Sequence, residues 1–130
     1  MQRLHNPDKP DTDLFAWFYP RVERNWAQMR SVAERLVELN VPAIFDCGLT
    51  RKSERDIFAN WAAAHSYKVA LHFIDVPPET RWQRVQKRNA EQSETFQFEV
   101  TREMFDFMET LWEPPDAREM AALNGVRMPA

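Results

Sequence analysis

Two arginines on one predicted helix are the first candidates for chemistry in this sequence. Arg84 and Arg88 are four residues apart and share one helical face with Arg81. The helix follows directly after an apolar segment, Val69–Val76, that predicts a buried strand. Fixed cations at the carboxyl end of a strand are typical of anion sites in α/β proteins. A solvated basic surface is the alternative for a pair with this spacing.

A second group of charged residues follows another apolar segment. Val41–Asp46 predicts a short strand whose last residue is a carboxylate, which either belongs to a site or caps its own turn. Arg51 and Arg55 follow at helical-turn distances. They can meet the anion of a substrate. The favoured alternative is that they pair on the surface with the acidic residues beside them, Glu54 and Asp56.

The composition narrows the classes of function. The 130 residues carry 17 basic and 20 acidic side chains, and the net charge of −3 argues against a general nucleic-acid or membrane-surface binder. Cys47 is the only cysteine, so no internal disulfide is expected and a reducing, cytoplasmic setting is predicted. The three histidines are scattered, which predicts no metal site. No apolar segment approaches the length of a membrane span.

The glycine count excludes two nucleotide-binding motifs from the printed sequence. Gly48 and Gly125 are its only glycines. A phosphate-binding loop of the G-x-x-x-x-G-K-[ST] type needs two glycines at a short fixed spacing, and a dinucleotide fingerprint needs three close together. Neither motif therefore occurs in these 130 residues.

The elements that must position the candidate residues alternate between helix and strand. An amphipathic helix is predicted from Pro20 to about Asn40, because apolar residues recur three and four positions apart. Those residues are Val22, Trp26, Met29, Ala33 and Leu36. A second helix, capped by Thr50 or Ser53, joins the two predicted strands into a right-handed βαβ unit. Its inward-facing residues are predicted to be Ile57, Trp61 and Ala64, beside Phe58 and Ala62.

The rest of the chain predicts further helices and a last strand. Thr101 is expected to cap a helix. Its apolar positions are Met104, Phe105, Met108, Leu111 and Trp112. Thr95–Val100 predicts a short strand or an extended lid, Asp116–Leu123 a short helix, Val126–Met128 a strand, and Met1–Asp13 an irregular lead-in. The expected fold is one α/β domain, residues 1–130, with a small, mostly parallel sheet of two or three strands and four or five helices.

Three stretches of the chain carry a resemblance to a known family. They are FDCGLTRKSERD at 45–56, LHFIDVPPETRWQRVQKRNAE at 71–91 and TFQFEVTREMFDFMETLWEPPD at 95–116. Together they resemble the predicted small-molecule kinases among the AAA-type P-loop ATP-binding proteins, which are relatives of the zeta-toxin and chloramphenicol-phosphotransferase kinases. The similarity extends from about Leu14 to Asp116.

The resemblance implies roles for the candidate residues. It makes Asp46 a Walker-B type carboxylate near the magnesium shell, and it makes Arg84 and Arg88 the arginines of a lid helix that meets nucleotide phosphate or base. Family members begin with a strand, the phosphate-binding loop, a helix, a second strand and an acidic motif. This sequence is expected to start just after that motif. Mg-ATP is the cofactor of the family, and none is expected for this chain alone.

Two functions from different classes follow as hypotheses. The first is a nucleotide-dependent small-molecule phosphotransferase without its phosphate-binding loop, inactive as a kinase on its own. Its predicted catalytic residues are Asp46, Arg84 and Arg88, and its predicted substrate-binding residues are Arg51 and Arg55. The second is a non-enzymatic module that forms a homo-oligomer or binds a protein partner, because a depleted sheet leaves edges and apolar faces open.

The sequence also gives expectations for partners other than protein. A small anion at the lid arginines is compatible with both hypotheses, whereas neither nucleic acid nor a membrane is expected. An incorrectly assigned start or a truncated gene is a third interpretation, and the DNA upstream distinguishes it from the other two.

Overall fold

The computed structural model describes residues 14–92, 96 and 98–129. Five helices and two strands lie within this part of the chain. In order they are α1 (Leu14–Glu38), α2 (Lys52–Ala64), β1 (His72–Asp75), α3 (Pro78–Glu91), α4 (Arg102–Thr110), α5 (Ala117–Ala122) and β2 (Val126–Pro129). The two strands pair in parallel, with His72 opposite Val126 and Asp75 opposite Pro129. The predicted α/β class with a small parallel sheet is confirmed.

The chain divides into two compact units, Met1–Cys47 and Gly48–Ala130. The single domain expected over residues 1–130 stays a prediction. The predicted lead-in, Met1–Asp13, lies outside the described residues, and so do Thr95 and Gln97 of the predicted strand or lid. The described residues of that segment, 96 and 98–100, are not in a strand. None of the described helices has the length and apolar composition needed to cross a membrane.

Helix α1 is the regular element of the first unit. It runs through Pro20, so the prediction that Pro20 opens the helix is wrong. Proline removes one helical N–H donor, which bends or weakens a helix unless other contacts compensate. Beside this proline the Arg21 Nη1 donates to the Trp17 carbonyl at 2.7 Å, and its guanidinium lies 4.2 Å from the Trp17 ring centre, which adds two contacts to this turn of the helix. The predicted apolar stripe is confirmed at Trp26 and Ala33, which are buried.

The segment after α1 corrects the predicted sheet. Val41–Asp46 has no regular secondary structure, so the strand predicted there is wrong. The Val41 N–H donates to the Leu36 carbonyl at the end of α1, and Pro42 has no N–H to offer a ladder. Since the two described strands pair only with each other, the predicted βαβ unit through α2 is wrong as well. The parallel neighbour of β1 is β2.

One face of the small sheet carries exposed apolar side chains. The predicted strand over Val69–Val76 shortens to β1, and the strand predicted near the end of the chain is confirmed as β2. In-register residues of parallel strands project to the same face. Ile74, Val126 and Met128 share one face and are 65%, 50% and 46% exposed. On the other face Phe73 lies 6.0 Å from Trp112, centre to centre.

Helix α2 begins at Lys52 rather than after a Thr50 or Ser53 cap. Two carboxylates accept its first free N–H groups: the Arg51 N–H donates to Glu54 Oε2 at 3.0 Å, and the Lys52 N–H donates to Glu113 Oε2 at 2.6 Å. Negative charge is favourable at this end of a helix. The predicted caps are therefore wrong, because a residue distant in sequence provides one of the acceptors.

The buried face of α2 also differs from the prediction. Ala62 is buried as expected, whereas Ile57 and Ala64 are exposed. Glu54 and Arg55 are buried instead. The buried face is rotated because an ion pair occupies the interior where the pattern predicted apolar side chains.

Helices α3 and α4 pack against each other as a hairpin. Pro78 lies in the first turn of α3, where its missing N–H costs no hydrogen bond. The Thr101 hydroxyl accepts from the Met104 N–H at 3.3 Å, which confirms the predicted cap of α4. The Trp82 and Phe105 rings lie 5.4 Å apart between the two helices, and Phe105 is buried. The hairpin, α3 with α4, therefore has an aromatic interior of its own.

Candidate functional site

Arg81 is engaged by the protein itself. Its Nη1 and Nη2 donate to the two carboxylate oxygens of Glu109 at 2.6 and 2.7 Å, and its Nε donates to the Val76 carbonyl at 3.0 Å. The Phe105 and Trp112 ring centres each lie 6.0 Å from the guanidinium carbon. Arg81 thus links the residue after β1 to both helices of the hairpin. Its positive charge is balanced by the Glu109 carboxylate, and its donors are engaged within the protein.

Asn89 makes a second link at the other end of α3. Its Nδ2 donates to the Val100 carbonyl at 2.8 Å, and its Oδ1 accepts from the Val100 N–H at 3.3 Å. One amide side chain thereby satisfies both backbone groups of Val100, as a neighbouring strand would. Helix α3 is therefore held at both ends by the segment that carries α4.

Arg84 and Arg88 lie between these two links and are exposed. Among the described residues neither has a carboxylate partner, whereas Lys87 on the same helix lies 3.7 Å from Glu91. Residues four apart on a helix are close neighbours, and each guanidinium carries five donors. The pair can therefore bind one phosphate group or two adjacent ones. The predicted basic face is present, with Arg81 withdrawn from it.

Arg55 is buried in a different ion pair. Its Nε and Nη2 donate to Glu119 Oε1 and Oε2 at 2.5 and 3.0 Å, and its Nη1 donates to the carbonyls of Leu49 and Thr50 at 3.1 and 3.5 Å. The predicted surface pairing with its acidic neighbours in sequence is wrong, because the side chain points inward to α5. The Asp116 carboxylate, which accepts from the Glu119 N–H at 2.7 Å, caps the turn that holds this partner. A guanidinium enclosed in this way supports the fold, and its predicted contact with a substrate gains no support from the geometry.

Arg51 and Asp46 are the two remaining predicted site residues. The side chain of Arg51 is half-buried at the start of α2 and has no ion-pair partner in the described part of the chain. Asp46 is exposed and belongs to the first compact unit, whereas the arginines belong to the second. The grouping of Asp46 with Arg84 and Arg88 stays a prediction. Across the described residues, no three His, Cys, Asp or Glu side chains form a cluster that could hold a metal ion.

A second arginine of the hairpin also forms an ion pair within the protein. Arg102 donates to the two Asp106 oxygens at 2.9 and 3.0 Å, and this hydrogen bond raises the pKa of Arg102 above its ordinary value. Its guanidinium lies 5.2 Å from the Trp82 ring centre. Arg102 is therefore a packing group on the hairpin, and the unpaired cations of α3 remain the exception.

Sequence reasoning missed the residues that hold the candidate site together. By spacing alone Glu109 belongs to an acidic helix face with Glu103 and Asp106, and Asn89 shares the helical face of Trp82 and Val85. An available signal was that an asparagine on an apolar face needs hydrogen-bond partners once it is covered. No local signal identified Glu109 as the partner of Arg81, because the two are 28 residues apart.

Comparison with known proteins gives the family of the chain. A family model described as AAA domain matches residues 1–115, a range that includes α1, α2, the hairpin and β1. Neither a curated protein nor a solved structure matches the chain. The extent of the family match shows that the chain belongs to the AAA-domain family, and it supports the P-loop NTPase-like and kinase-like character that the sequence motifs resemble.

Proposed function

We propose that this chain provides the arginine-bearing helix of a nucleotide-dependent small-molecule phosphotransferase, with Arg84 and Arg88 contacting the nucleotide phosphates. Membership of the AAA-domain family supports a nucleotide-dependent, kinase-like function. The observation that carries the proposal is the contrast within α3. Arg81 forms an ion pair with Glu109, whereas the other two arginines are exposed and without a carboxylate partner in the described part of the chain.

The chemistry of phosphoryl transfer explains why such a helix is useful. Catalysis depends mainly on positioning the phosphates and neutralising their charge. Guanidinium groups suit this task because their planar donor pairs match phosphate oxygens. From the resemblance of the sequence motifs we also propose a role near the magnesium shell for Asp46 and a contact with the phosphate acceptor for Arg51.

The polypeptide alone is proposed to be inactive as a kinase. The 130 residues contain no phosphate-binding loop motif, so most of the positioning and of the charge neutralisation must come from elsewhere. Salt strongly screens the attraction between two exposed arginines and a phosphate in water. We therefore expect ATP to bind to the chain alone with a Kd of about 1 mM or weaker.

The test is a titration of isotope-labelled chain with ATP and Mg-ATP at low salt, followed by NMR. The Nε–Hε signals of Arg84 and Arg88 should shift with millimolar affinity, and the double variant R84A/R88A should lose the response. R118A is the matched control, because Arg118 is an exposed arginine on α5 with no ion pair in the described part of the chain. Absence of shifts at both arginines, or an equal loss in R118A, contradicts the site. Micromolar binding of Mg-ATP, or ATP turnover by the chain alone, contradicts the proposed inactivity.

A homodimer without catalytic activity is the second candidate, and the exposed sheet face favours it. Parallel sheets are normally covered on both faces, yet Ile74, Val126 and Met128 are all at least 46% exposed. Within the described residues β1 and β2 have no strand neighbours beyond each other. We propose that a second copy of the chain covers this face, since an uncovered apolar surface drives association.

Light scattering at low micromolar concentration tests the dimer. The unsubstituted chain should have twice the monomer mass, and V126K should reduce it to the monomer. V32K is the matched control, because Val32 on α1 is 49% exposed and Val126 is 50% exposed. A monomeric unsubstituted chain, or a V126K variant that stays dimeric, contradicts this candidate. R84A/R88A should leave the mass unchanged, so the two candidate functions are tested separately.

A further inference from the structure

We infer that Glu109 and Asn89 are positioning residues, which hold the hairpin as one rigid piece and so present Arg84 and Arg88 in a fixed arrangement. This inference about the fixed hairpin rests on the contacts of α3 and α4. Its consequence for ligand binding rests on the proposed function, and the experiment below separates the two.

The two links act at opposite ends of the hairpin. The Arg81–Glu109 pair joins the first turn of α3 to the last turn of α4. The contact between Asn89 and Val100 joins the last turns of α3 to the residues that lead into α4. Along α3 the links are about 12 Å apart, given the rise of an α-helix. A single link would leave α3 free to pivot, whereas two links prevent both pivoting and sliding.

Aromatic and arginine side chains make further contacts between the two helices. The Trp82 ring lies 5.4 Å from the Phe105 ring, and the Arg102 guanidinium covers Trp82 at 5.2 Å. These contacts occupy the inner side of α3. Arg84 and Arg88 remain on the exposed part of the same helix, between the links. The hairpin thus has one side that fixes the helix and another that carries unpaired cations.

Preorganisation has a measurable consequence for anion binding. A ligand that binds two fixed guanidinium groups spends no free energy on ordering the helix that carries them. Loosening the helix should therefore weaken the binding of a polyphosphate. The carboxylate of Glu109 acts in the opposite direction through space, because removing a negative charge strengthens anion binding by Coulomb's law. The sign of the change in E109Q distinguishes positioning from simple electrostatics.

The first measurement uses the free chain. Amide hydrogen exchange of α3 is compared among the unsubstituted chain, E109Q, N89A and E103Q. Glu103 is an exposed glutamate on α4, so E103Q makes the same change of charge without breaking a link. We expect α3 amides to exchange about tenfold faster in E109Q and N89A and at an unchanged rate in E103Q. Unchanged exchange in E109Q overturns the inference, whatever the ligand does.

The second measurement titrates the same variants with inorganic triphosphate at low salt. Affinity read at the Arg84 and Arg88 signals should fall about threefold to tenfold in E109Q and should stay equal or rise slightly in E103Q. A rise in E109Q equal to that in E103Q overturns the positioning role. E109D, which keeps the charge but shortens the reach, should be intermediate and replaces E109Q if that variant does not fold. If triphosphate does not bind to the unsubstituted chain, the proposed function fails, and the exchange data still decide whether the hairpin is fixed.

Discussion

Two arginine–glutamate pairs in the second compact unit have the same chemistry and different surroundings. Arg55 with Glu119 joins α2 to α5, and Arg81 with Glu109 joins α3 to α4; each makes two parallel hydrogen bonds. The side chains of the first pair are 4% and 6% exposed, and those of the second are 32% and 23% exposed. Burial, and not the type of contact, separates the two regions.

The difference in burial decides what each pair can do. A fully enclosed pair has lost the hydration of both charges, and the mutual attraction together with the hydrogen bonds from Arg55 to the Leu49 and Thr50 carbonyls offsets that cost. Removal of one partner therefore leaves a charge that water cannot reach. A partly exposed pair loses less hydration and keeps one side of its helix near solvent. The pair of Arg55 with Glu119 thus serves the stability of the fold. The pair of Arg81 with Glu109 can hold α3 in place while Arg84 and Arg88 stay accessible to a ligand.

The largest expected change in the free energy of unfolding comes from breaking each of the two pairs in a separate variant. R55M should lower the free energy of unfolding by about 3–5 kcal/mol, because Glu119 is left buried without its partner. R81M should lower it by about 1–2 kcal/mol, because water can solvate the released Glu109 carboxylate. Urea unfolding followed by tryptophan fluorescence measures both changes.

A control and a double variant sharpen that comparison. K52M breaks the exposed pair of Lys52 with Asp56 and should lower the free energy of unfolding far less than R81M does. In R55M/E119L both buried charges are removed, so the double variant should be more stable than R55M alone. Equal losses in R55M and R81M would show that burial is not what separates the two pairs.

The sequence predicted the elements whose patterns are local. Amphipathic spacing indicated α1, and the apolar segment Val69–Val76 followed directly by the arginine-bearing helix indicated β1 and α3. The Thr101 cap and the last strand were also predicted correctly. Each of these depends on residues within a few positions of one another, which is the range over which helix periodicity and capping act.

The strand predicted at Val41–Asp46 shows where this approach fails. Its apolar, β-branched composition is a local property, whereas a strand also needs a neighbour for its backbone groups. The prediction of the inward face of α2 was wrong for a related reason. Arg55 is buried because of Glu119, which is 64 residues away, and a charged residue is assigned to the surface by default.

The candidate site combines both situations. The spacing of Arg84 and Arg88 correctly predicted a shared, exposed face. Which of the three arginines on α3 is withdrawn from that face depends on Glu109, a residue of the next helix. Sequence spacing can therefore give the position of the cations but not which of them are free to act.

A smaller effect than that of R55M is expected at the start of α4, beside the second link. The pKa of Glu103 lies below its ordinary value, because its own backbone N–H and then the Thr101 hydroxyl donate to the carboxylate. A lowered pKa in the folded chain favours the charged form of Glu103. Its contribution to stability is therefore present above the pKa of the unfolded chain and is lost as the pH falls through the lower pKa of the folded chain. T101V removes one of these donors and also the cap on the Met104 N–H.

The T101V variant should therefore change two quantities and leave a third unchanged. The pKa of Glu103, followed by its carboxyl carbon in NMR, should rise toward the ordinary value. The free energy of unfolding at neutral pH should fall by about 1 kcal/mol, the usual cost of a lost cap, and T101S should show neither change. Exchange of the α3 amides should stay as it is, because both links of the hairpin remain. Faster α3 exchange in T101V would mean that the cap of α4, and not the contacts of Asn89 and Glu109, fixes the arginine-bearing helix.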